Sequence, residues 1–205
     1  MEKEKDARTK LIEAAVRLFA QKGYAAVTFK DLAEASGVNS ALINYHFGGK
    51  EGLYAAMVES QFSKFAESIV NPQLAALEPA QRIRQIIRNL SRLHQSNPYI
   101  RRLLGSELVN PTPCFETLIK ERAVKFSRQV VATIQEGIDK GQFRKDLNPA
   151  ITAATMLGSV HFYFVGKPII QNLLPLTDAM DQEFERHVVE IFFQGILDPD
   201  YREGQ

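Results

Sequence analysis

The sequence predicts an all-α protein in which a small N-terminal domain of three helices precedes a larger helical domain. Apolar residues recur at helical spacing along most of the chain, and no run of alternating or β-branched residues indicates a strand. Prolines occur only from residue 72 onward, where they divide the chain into further helices. We therefore expect domain limits at 1–49 and 71–205, with residues 50–70 as a connecting helix.

The composition is that of an ordinary globular protein. Of 205 residues, 45% are apolar and 24% are charged, so the chain can bury a core without disulfides. The single cysteine, Cys114, excludes an intramolecular disulfide and a cysteine metal cluster. No signal peptide or membrane-spanning run is visible, so we expect a cytosolic protein with no membrane partner. The net charge of +1 indicates little about the partner.

The first helix is predicted from about Asp6 to Lys22. Gly23 follows at the position where a left-handed helix cap belongs. The apolar stripe of this helix consists of Leu11, Ile12, Ala15, Leu18 and Phe19.

Two short helices are predicted next. Thr28 has the chemistry of an N-cap, and Asp31 stands three residues later, as in a capping box. This second helix ends near Ser36 and Gly37, and Asn39 can cap the third, from Ser40 to about His46.

The remaining helices are bounded by glycine and proline. Two glycines at 48–49 end the third helix, and a long helix is predicted from Lys50 to about Val70. Further helices are predicted near residues 79–96, 98–109, 114–140, 148–166 and 178–197.

The two short helices need a platform, because helices of about two turns are unstable alone in water. Apolar residues close a small core with the first helix: Leu32, Ala33, Val38, Ile43 and Phe47. Ser40, Ala41, Asn44 and Tyr45 are then left on the outer face of the third helix. Small polar residues on an outward helix suit entry into the DNA major groove, while a generic helical hairpin is the alternative.

The order of residues over 8–58 closely resembles the N-terminal domain of the tetracycline-repressor-like (TetR) family of bacterial transcription regulators. The resemblance rests on a distributed pattern in register: Arg8, Ile12, Ala14-Ala15, Leu18-Phe19, Gly23, Thr28, Leu32-Ala33, Ser36-Gly37-Val38, Tyr45-His46-Phe47, Lys50-Glu51 and Leu53. It implies a helix-turn-helix that binds double-stranded operator DNA, followed by a helical domain for effector binding and dimerisation.

The resemblance and the physics of helix ends together assign roles to individual residues. Thr28 and Lys50 are expected to bind phosphate, the former at a helix N-terminus. Tyr45 and His46 resemble the family's pair of aromatic residues that contact the DNA backbone, with a core role as the alternative for His46. The candidates for base contacts are Ser40, Ala41, Leu42 and Asn44, together with Asn39, the cap residue that precedes them. For Leu42 the alternative is a core role.

Three positions depart from the family pattern. Asn39 replaces the usual Ser or Thr, Ala41 stands where Gly is frequent, and Asn44 replaces a tyrosine that often touches phosphate. These differences leave the predicted fold unchanged and bear on which operator sequence is bound.

The second domain contains no phosphate loop, nucleophile elbow or zinc-protease motif, and we expect no catalytic site, metal or cofactor. Its aromatic residues with nearby polar groups predict an apolar effector pocket, with an ordinary core as the alternative. The candidates are Phe115, Arg122, Phe126, His161 and Tyr163. Four arginines on one helix, Arg82, Arg84, Arg88 and Arg92, indicate either a solvated face or a contact with an anionic ligand.

The last two long helices carry small and apolar residues that fit a four-helix bundle with a second copy of the chain. The candidates for this homodimer interface are Ala154, Leu157, Gly158, Val188, Ile191, Phe192 and Gly195. The alternative is that these residues pack on the rest of the same chain.

These observations predict a ligand-responsive regulator of transcription, and more specifically a repressor. We expect it to bind a palindromic operator as a dimer and to be released by a small hydrophobic or amphipathic effector. Two alternatives stay open: a helical protein-interaction module and a helical enzyme, each with a vestigial DNA-binding head.

Overall fold

The computed structural model describes residues 2–69, 72–175 and 177–202, and for 2–5, 64–69 and 72 it describes the backbone alone. These residues form α1 (Glu2–Ala26), α2 (Phe29–Ser36), α3 (Ala41–Phe47), α4 (Lys50–Ile69), α5 (Pro72–Ala75), α6 (Pro79–Ser96), α7 (Pro98–Val109), α8 (Lys120–Asp139), α9 (Pro149–Val165), α10 (Lys167–Ile170) and α11 (Asp178–Ile196). The β-structure of this part of the chain is an isolated antiparallel bridge between Phe143 and Leu197. The predicted all-α class is therefore confirmed.

Most helix ends lie close to their predicted positions. Gly23 has a φ of 78° and interrupts α1, so the segment to Ala26 is a second helical piece beyond a kink. The predicted end of the connecting helix at Val70 lies outside the described residues. The helix predicted from residue 114 begins close to that position, since residues 113–114 are helical, and a π-helical turn over Phe115–Ile119 then leads into α8.

The chain forms two compact units, and each combines two separate stretches of sequence. The first unit is Met1–Phe65 with Asn97–Arg122, and the second is Ala66–Ser96 with Ala123–Gln205. The domain limits predicted at residues 49 and 70 stay predictions.

The first unit is built around the apolar stripe of α1. Leu11, Ala15 and Phe19 are buried, and α1 packs against α2, α3 and α7. Most of the core that was predicted for the two short helices forms, since Leu32, Val38 and Ile43 are buried, with Phe47 partly buried against them. Ala33, which was also predicted there, is partly exposed and lies outside this cluster. This core fixes α2 and α3 on α1 and leaves one face of α3 free of the unit's interior.

The second unit is organised around α6. Its buried face contains Ile83, Ile87 and Leu90, and α9 and α11 both pack against this helix. Gly137 of α8 allows a close approach, because a Cβ there would lie 2.2 Å from the Phe143 ring. Among the described residues, none of the helices combines the length and the apolar composition that a membrane span requires.

Candidate nucleic-acid interface

The N-terminus of α2 is held by a complete capping box. The backbone N–H of Asp31 donates to Thr28 Oγ1 at 3.1 Å, and the Thr28 N–H donates to Asp31 Oδ2 at 2.8 Å. The Lys22 ammonium lies 2.6 Å from Asp31 Oδ1. The hydrogen bond from Lys22, and to a smaller extent those from Thr28, hold the pKa of the Asp31 carboxyl well below its usual value. The capping prediction from sequence is confirmed, and Thr28 stays exposed at the helix end.

The turn between α2 and α3 is closed by backbone geometry and short polar side chains. Gly37 has a φ of 67°, a left-handed conformation that ends α2. Asn39 Oδ1 accepts from the N–H of Ala41 at 2.9 Å, so the predicted cap forms and the helix begins one residue later than predicted. Ser36 Oγ donates a hydrogen bond to the carbonyl oxygen of Leu32 at 2.6 Å and accepts one from the N–H of Val38 at 3.2 Å.

The outer face of α3 matches the surface that the sequence predicts for DNA contact. Ala41 and Asn44 are exposed, and Tyr45 retains 71% of its accessible surface. Ser40 is half-buried just before the helix, and Leu42 is half-buried against the core of the unit. The packing of Leu42 favours the core alternative for that residue.

The dimensions of an α-helix such as α3 are compatible with the DNA major groove. A helix with its side chains is about 10–12 Å across. The major groove of B-DNA is about 12 Å wide and admits one α-helix. The exposed side chains of α3, those of Ala41, Asn44 and Tyr45, are uncharged, so this face offers hydrogen-bonding groups and shape rather than charge.

His46 lies at the junction between this surface and the core. Its ring is half-buried between Tyr45 and Phe47, with centroid distances of 4.9 and 6.1 Å. The Nε2 atom is buried and has no hydrogen-bond partner within the described residues. These contacts support the core alternative, and a DNA contact by His46 stays a prediction.

Lys50 is positioned by the end of α1. Its ammonium donates to the carbonyl of Ala25 at 3.2 Å and lies 4.7 Å from the centroid of the Tyr24 ring. Ala25 precedes Thr28 by three residues, so the cation is held near the N-terminus of α2. Phosphate binding by Thr28 and Lys50 stays a prediction that this arrangement supports.

Gly52 is a residue beside the candidate interface whose packing role the sequence-based argument missed. A Cβ at this position would lie 1.8 Å from the carbonyl oxygen of Phe47, the last residue of α3. The glycine therefore permits the start of α4 to pack directly on the end of α3. The sequence pattern places Gly52 inside a helix and gives no signal that α3 approaches it.

The five residues predicted for effector binding are divided between the two units. Phe115 and Arg122 belong to the first, where Arg122 pairs with Glu59 at 2.6 Å. Phe126, His161 and Tyr163 belong to the second. Effector binding by these residues stays a prediction.

The residues of this set in the second unit already have internal partners. The Tyr163 hydroxyl donates to Asp181 at 2.9 Å, and Asp181 also pairs with Lys167 at 2.6 Å. The His161 ring lies 5.3 Å from that of His94, and burial lowers its pKa. Burial in this unit therefore favours the neutral form of the partly buried His161 imidazole.

The predicted dimer residues all remain at least partly exposed in the single chain. Ile191 keeps 66% of its surface, and Ala154, Gly158 and Gly195 are exposed. A Cβ at Gly158 or Gly195 would meet no atom within 4 Å, so space is open above both positions. An apolar groove of about 480 Å³ runs between α9 and α11 at this face.

The described residues contain no group of three or more His, Cys, Asp or Glu able to hold a metal ion. In the first unit, α3 is held by the core and by the start of α4, and its outer face is exposed and uncharged. Together with the second helical unit, this arrangement defines a DNA-binding regulator of the helix-turn-helix type.

Comparison with known proteins agrees with this class. Residues 11–57 match the family model described as bacterial regulatory proteins, tetR family. Residues 79–194 match the model described as tetracyclin repressor-like, C-terminal domain. Together these matches cover most of the sequence, and the chain belongs to the TetR family of bacterial regulatory proteins.

Individual relatives are transcriptional regulators. The chain is 26% identical over 166 residues to the repressor AcnR of Corynebacterium glutamicum, covering 81% of this chain and 84% of that protein. It is 35% identical over 91 residues to the regulator BetI of Rhizobium meliloti, covering 44% of this chain and less than half, 45%, of that protein.

The fold also matches a solved structure of a regulator. The crystal structure of FadR from Bacillus subtilis in complex with stearoyl-CoA superposes with a TM-score of 0.76 at 16% identity. The match covers 91% of this chain and 98% of that chain. Because the identity is low, this likeness concerns the fold.

Proposed function

We propose that this protein is a transcriptional repressor that binds a palindromic operator as a homodimer and releases it when a small hydrophobic or amphipathic effector binds. The observation that carries the proposal is the exposed, uncharged face of α3, fixed by a buried core on one side and by Gly52 on the other. The proposal contains no catalytic step. Because bacterial operator DNA lies in the cytoplasm, the protein acts there.

DNA contacts are divided between positioning and base discrimination. Lys50, Thr28 and Tyr45 contact the phosphate backbone, which sets the register of α3 without selecting a sequence. Ser40, Ala41 and Asn44 contact base edges, because they are the small or polar residues just before α3 and along its outer face. An amide such as that of Asn44 pairs well with adenine in the major groove.

The dimer is formed through α9 and α11. Small residues at Ala154, Gly158 and Gly195 allow helices to approach closely, while Ile191 supplies apolar surface that the single chain leaves exposed. A two-fold axis places the same surface on both copies and makes the interface self-complementary. It also presents two copies of α3 to the two halves of a palindrome, one helical turn of DNA or a multiple apart.

The effector is a hydrophobic or amphipathic molecule, the class to which the stearoyl-CoA bound by FadR of Bacillus subtilis belongs. In the second unit the neutral imidazole of His161 provides a polar anchor beside aromatic surface. An effector changes operator affinity only through its different affinity for the two conformations of the dimer.

Measuring operator affinity with and without candidate effectors tests this proposal. A series of acyl-CoA thioesters of increasing chain length is added to the protein–operator complex, and free CoA serves as the control without an apolar chain. At least one thioester should weaken operator binding by about thirtyfold, equivalent to ~2 kcal/mol of coupling. If neither an acyl-CoA nor another hydrophobic molecule changed the operator affinity, this result would contradict release of the operator by an effector.

A further inference from the structure

Asp31 carries a negative charge at the end of α2 to which the proposed function assigns a DNA phosphate. Its carboxylate belongs to the first turn of the helix, where the free N–H groups and the helix dipole favour an anion. The Asp31 side chain keeps 26% of its surface, so its charge lies at the protein surface beside Thr28. A phosphate at this helix end is therefore repelled by the carboxylate unless a cation compensates it.

Asp31 also occupies both hydrogen-bond donors of Thr28. Its Oδ2 accepts from the Thr28 N–H at 2.8 Å and from the Thr28 hydroxyl. A threonine hydroxyl has a single proton to donate. For the hydroxyl to bond a DNA phosphate, it must therefore turn away from Asp31, and the carboxylate then loses one of its donors.

Lys22 supplies the carboxylate with a donor on its other oxygen. The Lys22 ammonium lies 2.6 Å from Asp31 Oδ1, whereas Thr28 bonds Oδ2. This hydrogen bond is the largest cause of the lowered pKa of the Asp31 carboxyl. When the Thr28 hydroxyl turns to a phosphate, Asp31 therefore keeps two donors, the Thr28 N–H and the Lys22 ammonium.

The exposure of the ion pair indicates that its main effect is not on folding. The Lys22 side chain keeps 46% of its surface, and ion pairs at such positions contribute little to stability. The capping box is complete with Thr28 and Asp31 alone. The effect of Lys22 is thus electrostatic, because it replaces an isolated carboxylate at the end of α2 by a neutral pair.

Lys50 lies at the same end of α2 and differs from Lys22 in its partner. Its ammonium bonds the carbonyl of Ala25 at 3.2 Å. A carbonyl carries no net charge, so this contact leaves the charge of Lys50 available to a phosphate. The charge of Lys22 is cancelled by Asp31. The two lysines therefore have different tasks at this site.

We propose that Lys22 is a positioning residue for phosphate binding at the N-terminus of α2. By pairing with Asp31 it compensates the carboxylate charge and allows the Thr28 hydroxyl to turn from Asp31 to a phosphate of the DNA. Lys22 thus acts through Asp31 and does not itself contact the DNA. This inference rests on the proposed function, since it concerns the phosphate contact of Thr28.

Substitutions of Lys22 test whether its charge is required. Binding of the full-length protein to an inverted repeat from the DNA upstream of its own gene, and to a shuffled duplex, is measured by fluorescence anisotropy at low salt. Lys22→Gln should weaken binding to both duplexes by about tenfold, because it leaves the Asp31 charge uncompensated. Lys22→Arg keeps the cation and should bind within about twofold of wild type.

A double variant tests whether Lys22 acts through Asp31. Lys22→Gln combined with Asp31→Asn has the net charge of the wild type, and the amide oxygen can still accept from the Thr28 N–H. Its affinity for both duplexes should return to within about twofold of wild type. Lys10→Gln is the matched control, because it removes another exposed lysine of α1 that pairs with a carboxylate, that of Asp6 at 2.7 Å. It should leave the affinity unchanged. Urea unfolding verifies that each variant is folded.

Three results would overturn the inference and leave the proposed function in place. Lys22→Gln that binds both duplexes as tightly as wild type would show that the Asp31 charge does not affect the phosphate. A double variant as weak as Lys22→Gln would show that Lys22 contacts the DNA itself. An equal loss in Lys10→Gln would show an effect of net charge alone. Failure of the proposed function is distinguishable, since wild-type protein would then bind neither duplex, and the inference would fail with it.

Discussion

The Tyr54 hydroxyl donates a hydrogen bond to the Glu107 carboxylate in the interior of the first unit. Glu107 is 1% exposed, and it also accepts from the N–H and the hydroxyl of Thr112 at 3.0 and 2.9 Å. The Tyr54 ring packs edge-on against Phe19 and Tyr24, at 4.9 and 4.8 Å. One residue of α4 therefore joins this helix to both α1 and α7.

Replacing Tyr54 by phenylalanine should destabilise the protein by about 1–3 kcal/mol. The ring contacts survive, but the buried carboxylate loses a donor and no water replaces it without rearrangement. Urea unfolding monitored by circular dichroism measures this free energy. Tyr45→Phe is the matched control, because the Tyr45 ring is 71% exposed and its substitution should have little effect. Equal stability of Tyr54→Phe and wild type would show that this hydrogen bond does not anchor α4.

Gly52→Ala should disrupt the packing of α4 on α3. The added methyl group would overlap the carbonyl oxygen of Phe47, which belongs to the backbone and cannot rotate away. We expect a loss of about 1–3 kcal/mol in unfolding free energy, as in other overpacked sites, together with weaker operator binding. Glu51→Ala, at the adjacent exposed position, is the control. Unchanged stability and operator affinity in Gly52→Ala would contradict the close approach.

Ile191→Glu should weaken the dimer, because it places a charge at the centre of the proposed apolar interface. Sedimentation velocity at micromolar concentration should show a shift from dimer to monomer. Gln182→Glu adds the same charge on the opposite side of α11 and should leave the dimer intact. A dimer that persists unchanged in Ile191→Glu would show that another surface holds the copies together.

Lys50→Ala and Asn44→Ala should affect DNA binding in different ways. Lys50→Ala removes a phosphate contact, so it should weaken binding to all sequences and reduce the slope of log affinity against log salt by about 1.

Asn44→Ala removes a base contact, so it should change the base preference at one operator position, a loss of discrimination of about 1–3 kcal/mol in binding free energy. Anisotropy titrations with the operator and with single-base variants separate the two effects. An unchanged affinity and salt slope in Lys50→Ala would show that Lys50 does not contact the DNA.

Local signals in the sequence predicted the helices well where a chemical marker stands at the boundary. Pro79 and Pro98 fix the starts of α6 and α7, Thr28 starts α2, and Gly37 ends it. The π-helical turn at Phe115–Ile119 was not predicted, because no residue type marks that geometry.

The contacts between residues on different helices could not be predicted from the sequence. Glu107 lies on the same helix as two arginines, Arg101 and Arg102, yet its carboxylate is buried and bonded to Tyr54 and Thr112. The two partners lie 53 and 5 residues away, and only the folded core brings them together. The same limit applies to Gly52, whose role depends on how closely two helices pack.

The most direct test of the central claim compares specific with non-specific DNA binding. Fluorescence anisotropy measures the affinity of the full-length protein for an inverted repeat from the DNA upstream of its own gene and for a shuffled duplex of equal composition, at several salt concentrations. A ligand-responsive operator-binding regulator should bind the repeat at least about a thousandfold more tightly, and log affinity should fall linearly with log salt. Equal affinity for the repeat and the shuffled duplex at every salt concentration would contradict the claim.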